Sequence, residues 1–302
     1  MASAAEQPMT APVNRAHRET ILLEDATVVE VSTHPGEQVV MRLRAPEIAA
    51  ACQPGVFVHI RCEPSLQMRR PMSVMRADAA AGTLDMLFKV HGIGTRALAA
   101  RKPGEVLSTL GPIGKPFRLD GYRPRPLLIG GGVGIPPMVY LAEHLKRWPS
   151  VKPLVLMGSE VPFPFKLRPS QILVPGVPAP VIAAMPLMED WGIPSRLASL
   201  NAYPGCFEGY VTALAEHWLN HSGVALDEVE IFACGPTPML KAVQALAARF
   251  KLPAQVSLEE YMACAVGGCA GCAVRIETPA GPAMKRVCVD GPVFEAATVV
   301  FD

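Results

Sequence analysis

Cys264, Cys269, Cys272 and Cys288 carry the most definite chemistry in this chain. Three of them stand in the run Cys264-Ala265-Val266-Gly267-Gly268-Cys269-Ala270-Gly271-Cys272, and the fourth follows further on. A C-x4-C-x2-C spacing with a distal fourth cysteine is that of plant-type [2Fe–2S] ligation. Such a centre needs four thiolates converging on one small volume. A tightly wrapped loop can supply three and a returning strand the fourth. Gly267, Gly268 and Gly271 suit the loop, because a backbone without Cβ can take φ > 0 and approach the sulfurs closely. N–H groups brought near in this way stabilise negative charge on the cluster and raise its potential. Two other uses of cysteine fit less well. A structural zinc site ordinarily takes two C-x2-C pairs, and only Cys269 and Cys272 form one here. Disulfides need an oxidising compartment, and the first residues lack the compact apolar segment of a secretory signal.

Four further motifs could hold a ligand. In Arg69-Arg70-Pro71-Met72-Ser73, an arginine before a proline at a strand start can clamp a phosphate, and the serine can face a flat ring; the same residues also suit an ordinary solvated strand end. In Lys89-Val90-His91-Gly92-Ile93-Gly94-Thr95-Arg96, Gly94 and Thr95 open a short helix whose free N–H groups suit a pyrophosphate, or Thr95 is a simple cap. His59 and His91 read as strand histidines. Gly130-Gly131-Gly132-Val133-Gly134-Ile135-Pro136 departs from the strict G-x-G-x-x-G fingerprint. It is still a glycine turn where a parallel strand enters a helix, the place where dinucleotides bind, or else a tight turn with no ligand. Glu160, after the next strand, could accept hydrogen bonds from a ribose diol and would repel a 2′-phosphate, favouring NADH over NADPH. Cys234-Gly235-Pro236 ends another strand on the same sheet edge; Cys234 either rests against a nicotinamide ring or is structural.

The elements that position these residues change character along the chain. From Thr20 to Leu119 short branched runs broken by Gly and Pro predict strands at 21–31, 38–43, 56–62, 72–76, 84–91 and 106–110, the pattern of a small Greek-key barrel. A helical segment at 94–100 interrupts them. After the linker 121–126, strands at 127–129, 152–158, 181–185 and 228–233 alternate with helices at 135–147, 211–220 and 237–250, which predicts a parallel α/β sheet. The proline-rich stretch from Val161 to Pro180 has no assignable pattern. The expected organisation is a tail (1–18), a barrel (19–120), an α/β domain (121–250) and a cysteine module (251–302). With 302 residues, half of them hydrophobic, the chain can bury two or three cores. A formal net charge of +1 gives no attraction to nucleic acid, and no run approaches the 18 apolar residues of a membrane helix. Cys52, Cys62, Cys206 and Cys234 are scattered and read as small buried hydrophobes; all eight cysteines suit a reducing cytoplasm.

Taken together, the motifs resemble the ferredoxin–NADP reductase superfamily, which joins an FAD-binding antiparallel barrel to an NAD(P)-binding α/β domain. The segments Ser257-Leu258-Glu259-Glu260-Tyr261-Met262-Ala263-Cys264 and Val287-Cys288-Val289-Asp290-Gly291-Pro292-Val293-Phe294 are similar to those of the electron-transfer subunits of the NAD-dependent dihydroorotate dehydrogenases. The resemblance implies that Arg70 binds the FAD phosphate and Ser73 lies near flavin N5, with Pro71 and Met72 in the same motif. It implies that Leu87, Phe88, Lys89 and Val90 line the flavin, and that Gly94 and Thr95 hold the pyrophosphate. Gly131, Gly132, Gly134, Cys234, Gly235 and Pro236 would serve NAD(H), and the four C-terminal cysteines the cluster. The partner would be an FMN-containing catalytic subunit that oxidises dihydroorotate to orotate, in a hetero-oligomer. Tyr261, where relatives carry Arg, and Ala265, where Gly is usual, depart from the pattern without removing a ligand. A self-contained reductase feeding another acceptor and a non-catalytic redox or metal sensor are the alternatives.

Overall fold

Alternation of apolar and polar residues builds the first half of the chain as antiparallel sheet. The computed structural model describes residues 20–301; the expected tail at 1–18 lies outside them. The strands are β1 (Leu22–His34), β2 (Gln38–Arg44), β3 (Phe57–Ile60), β4 (Arg70–Ser73), β5 (Arg76–Asp78), β6 (Thr83–Lys89) and β7 (Val106–Ile113). They hydrogen-bond in the order β4-β3-β7-β1-β2-β6-β5. The two edge strands are halves of one segment: Val74 N–H donates to Val56 O and Met75 N–H to Asp85 O. Residues 70–78 therefore pass from one edge of the sheet to the other and close it into a barrel. Its interior is packed with Val39, Met41, Leu43, Val58, Ile60 and Met86. Two helices cover its ends. One is α1 (Pro46–Ala51), which has no counterpart among the expected elements and whose first N–H groups are received by the Glu24 carboxylate. The other is α2 (Ile93–Ala99).

After the linker the side-chain period changes and the strands become parallel. In chain order the elements are β8 (Arg125–Gly131), α3 (Ile135–Leu145), β9 (Leu154–Gly158), β10 (Arg168–Pro169), β11 (Ala183–Ala184), α4 (Pro186–Asp190), β12 (Ser195–Ser199), β13 (Phe207–Glu208), α5 (Val211–His221), β14 (Val229–Cys234), α6 (Thr237–Phe250) and β15 (Ala254–Ser257). The cysteine segment adds the hairpin β16 (Ala273–Thr278) and β17 (Gly281–Arg286), then β18 (Val293–Glu295). The second sheet runs β13-β12-β9-β8-β14-β15-β18, parallel except for β18. Strand order reverses between β8 and β14, which makes the crevice above their carboxyl ends the switch point where open α/β sheets take ligands.

Two expectations are corrected. The strand expected at 181–185 does not join this sheet: Ala183 and Ala184 pair antiparallel with Pro169 and Arg168, inside the proline-rich excursion. The third parallel strand is β12 instead, which is fully buried although three of its five residues are polar. The Ser199 hydroxyl donates to Ser159 O, and the Arg196 guanidinium donates from Nη1 to Ser195 O and from Nη2 to Ile172 O, which leaves its buried Nε without a partner among the described residues. The sheet also continues past residue 250, because β15 and β18 hydrogen-bond into it.

Barrel and sheet are clasped through α3. Tyr140 inserts into the barrel core and its hydroxyl donates to Cys52 O at 2.9 Å. Beside it the Arg76 guanidinium donates to both Glu143 oxygens, at 2.7 Å for the shortest bond. Tyr140→Phe leaves a buried carbonyl without its donor and is expected to lower unfolding free energy by about 1–3 kcal/mol. Chemical denaturation of the two proteins side by side checks this, and coincident midpoints would remove the hydroxyl from the clasp.

Candidate functional site

One cleft of about 1100 Å³ lies where barrel, sheet and cysteine segment meet. That is at the upper end of ligand pockets, which span roughly 300–1,000 Å³. The barrel wall is Phe57, Arg69–Ser73, Leu87–Lys89, His91 and Thr95; the opposite wall is Val133, Thr237 and residues 257–263; Gly271 of the cysteine loop closes one end.

The barrel wall is shaped for a charged ligand with a flat body. Arg69 is committed to the sheet: its guanidinium donates to Ser108 O at 2.5 Å and to Ser108 Oγ at 2.9 Å. Arg70 instead lies across the start of α2, and a Cβ on Gly94 would come within 2.6 Å of its Nε. A side chain at that position would push the guanidinium out of its place beside the helix N–H groups. Thr95 Oγ accepts from His91 N–H at 2.7 Å and fixes the turn into the helix. Ser73, opposite Phe57 in the β3–β4 pair, makes no side-chain hydrogen bond among the described residues and lines the cleft.

On the sheet side the two glycine-bearing turns touch. A Cβ on Gly134 would lie 2.3 Å from Cys234 O, and one on Gly131 2.4 Å from Met239 Sδ. Gly132 takes φ +55 with open space beyond its Cα. Val133 and Thr237 face the cleft, while Gly131, Gly132, Gly134, Cys234, Gly235 and Pro236 do not line it. Cys234 is 0% exposed. Its thiol is held uncharged by burial and by the nearby Glu259 carboxylate, 3.9 Å from Glu259 Oε1. Glu259 lines the cleft; desolvation raises its pKa, and the Cys234 thiol offsets part of that rise. Reading motif by motif missed Glu259 as a site residue. The available signal was its place two residues beyond β15, on the edge where the adjacent β14 ends in Cys234. Glu160 lies at the carboxyl end of β9, outside this cleft, where its backbone carbonyl accepts from Asn201 Nδ2 at 2.9 Å.

The cysteine loop is wrapped with its N–H groups inward. Cys269 N–H donates to Cys264 Sγ and Gly271 N–H to Cys269 Sγ, both at 3.4 Å. The thiols influence one another in two pairs, Cys264 with Cys269 and Cys272 with Cys288. Burial opposes ionisation of Cys264, but the N–H groups of Cys269, Val266 and Gly268 outweigh it and bring the thiol down to about 7. Cys288 is pushed up to about 12 by burial and by its neighbour Cys272. Among the described residues no three His, Cys, Asp or Glu side chains converge so as to hold a single metal ion. Two adjoining thiol pairs suit a centre with two irons, one pair for each.

These features have counterparts in known proteins. A model described as the iron–sulfur cluster binding domain of dihydroorotate dehydrogenase B matches residues 259–300. A protein of Desulforamulus reducens, the dihydroorotate dehydrogenase B (NAD(+)) electron transfer subunit, is 32% identical over 280 residues, 92% of this chain and 98% of that one. The chain belongs to this family. A Geobacillus protein of the same description is 34% identical over 251 residues, 82% of this chain and 86% of its own. Among solved structures, an NADH-dependent reduced ferredoxin–NADP oxidoreductase superposes with a TM-score of 0.73 at 24% identity, over 92% of this chain and 90% of its own. The ferredoxin reductase of carbazole 1,9a-dioxygenase gives 0.59 at 21% identity, over 77% and 67%. These two likenesses show the shared fold.

The Arg70 guanidinium packed beside Gly94 and the unused Ser73 hydroxyl suit the barrel wall to an anionic ligand with a flat body. Behind the wall stands His59, 1% exposed, with neither ring nitrogen hydrogen-bonded among the described residues. Burial, then the charges of Arg69 and Arg70, lower its pKa to about 4. An unfolded histidine, near 6.5, takes up a proton that the folded one refuses until about pH 4. Stability from this residue is therefore complete above pH 6.5 and lost as pH falls towards 4. His59→Phe should flatten the rise in denaturation midpoint across that window; an unaltered slope would assign it to other groups.

Proposed function

We propose that this chain is the electron-transfer subunit of an NAD-dependent dihydroorotate dehydrogenase. It carries FAD in the central cleft and a [2Fe–2S] cluster on Cys264, Cys269, Cys272 and Cys288, and it exchanges electrons with NAD(H). Its partner is an FMN-containing subunit that oxidises dihydroorotate, and the two form a cytoplasmic hetero-oligomer. The supporting observation is the single cleft bounded by Arg70–Ser73 on one side and by residues 257–263 and Gly271 on the other. Among the described residues no helix is long and apolar enough to cross a membrane, and no disulfide links any of the eight cysteines, which suits a reducing compartment.

Bound flavin exchanges electrons in pairs with a nicotinamide and singly with an iron–sulfur centre. Arg70, beside Gly94 and Thr95, binds the phosphates and anchors the cofactor. Ser73 orients the ring by offering its unused hydroxyl. Gly131, Gly132 and Gly134, against Cys234, Gly235 and Pro236, form the shelf for the dinucleotide at the switch point. Cys234, buried and kept protonated by its surroundings, backs that shelf, with its S–H directed to Glu259 Oε1. Glu160, at the carboxyl end of β9, meets the ribose diol and favours NADH. Tyr261 (91% exposed), Val266 and Met284 present apolar surface on the cysteine segment, as a partner-binding face does.

Anaerobically purified protein should show flavin bands and a red-brown shoulder, with iron at about twice the flavin content. Both features should bleach with NADH faster than with NADPH. Colourless, iron-free protein inert to NADH after reconstitution would overturn the proposal. Copurification with a second chain separates a fixed subunit from a self-contained reductase. Ser73→Ala should slow flavin reduction about tenfold with iron content unchanged; stopped-flow traces matching the parent would dismiss Ser73.

A further inference from the structure

The turn that leads into Cys288 carries a cation outside the ligand set. Arg286, the last residue of β17, donates from Nη1 to Gly267 O at 2.9 Å. Its Nε donates to Asp290 Oδ2 at 3.3 Å, and its backbone N–H to the same oxygen at 2.8 Å. Its own carbonyl accepts from the N–H groups of Val289, Asp290 and Gly291. Arg286 thus ties the loop between Cys264 and Cys269 to the turn that bears Cys288. The Asp290 carboxylate holds the guanidinium in that pose through a charge-assisted bond.

The peptide it grips is the one that serves the sulfurs. Gly267 takes φ +79, and a Cβ there would lie 3.1 Å from both Val289 methyls. The carbonyl of Gly267 and the N–H of Gly268 belong to one planar trans unit and point in opposite directions. With the carbonyl held by Arg286, the Gly268 N–H is aimed away from the guanidinium, into the loop whose next N–H, that of Cys269, donates to Cys264 Sγ at 3.4 Å. Between two glycines this unit meets little steric resistance to rotating, and a rotated unit would aim its carbonyl at the sulfurs.

We infer that Arg286 is a positioning residue for the iron–sulfur centre: it locks the Gly267–Gly268 peptide with its N–H towards Cys264 and thereby raises the reduction potential of the cluster. Hydrogen bonds to the sulfurs stabilise the more negative, reduced form. The inference rests on the cluster reading given above and concerns a residue that ligates nothing.

Arg286→Gln and Arg286→Lys, made in the full chain with its flavin and cluster, test it by EPR-monitored redox titration and by ENDOR of exchangeable protons after transfer to D2O. Arg286→Gln should move the cluster midpoint downward, leave the flavin midpoint in place and remove or weaken one exchangeable-proton coupling. Arg286→Lys, which keeps the charge but not the fork, should fall between Gln and parent. If the Gln variant fails to retain iron, the Lys variant decides by the same two readings. A Lys variant with the parent midpoint and couplings would reduce Arg286 to a point charge and overturn the inference. So would equal downward shifts at flavin and cluster. A parent chain that binds no iron would instead sink the functional reading, so the two failures are distinguishable.

Discussion

Two backbone hydrogen bonds at one dipeptide hold the three parts of this molecule in register. Lys115 N–H donates to Gly291 O at 2.6 Å, and Leu258 N–H donates to Pro292 O at 2.9 Å. Lys115 follows the last barrel strand, Leu258 follows the last parallel strand, and Gly291–Pro292 lies just beyond Cys288. The contact is close: a Cβ on Gly114 would fall 2.3 Å from Pro292 Cδ. The seam supplements the β15–β18 pairing and the bonds from Gln244 Nε2 of α6 to Ala296 O and Val299 O, and among the described residues it alone ties the turn after Cys288 to both barrel and sheet by backbone hydrogen bonds. Single-electron exchange requires donor and acceptor at constant separation, so rigidity here outweighs any benefit from mobility.

The same requirement accounts for the clasp on the other side. Tyr140 and the Arg76–Glu143 pair set the angle between barrel and sheet by burying an aromatic ring and a bidentate ion pair. The cation is further held by Asp85, 3.9 Å away. A ring inserted in the core tolerates little sliding, because interiors are packed to near-crystalline density. The two walls of the cleft are thus fixed independently of whatever occupies it.

Much of this was legible in the chain. The cysteine spacing, the Arg-Pro-Met-Ser run and the glycine turn are local: each needs only a few consecutive residues of the right type, so each stands out before the fold is known. What escaped depended on distant partners. Ser195-Arg196-Leu197-Ala198-Ser199 does not read as a buried strand, since the groups that receive its Ser199 hydroxyl and Arg196 Nη2, Ser159 O and Ile172 O, lie far away in sequence. Val181–Met185 is apolar enough to suggest a sheet strand, yet proline at 178, 180 and 186 confines it to a two-residue pairing. Glu259 gains its character from Cys234 across the sheet edge, and Arg286 from Gly267 across the loop. No periodicity records such pairings.

The run Arg70–Ser73 has a second duty beside the ligand-binding role proposed for it. It is the first half of the segment that joins both margins of the barrel, so under that proposal the latch of the container is also the grip on its contents. Substitutions there would then disturb closure and affinity at once. A lineage adapting this scaffold to another prosthetic group would find that stretch the hardest to rewrite, whereas the proline-rich excursion around Arg168, remote from the latch, is free to diverge.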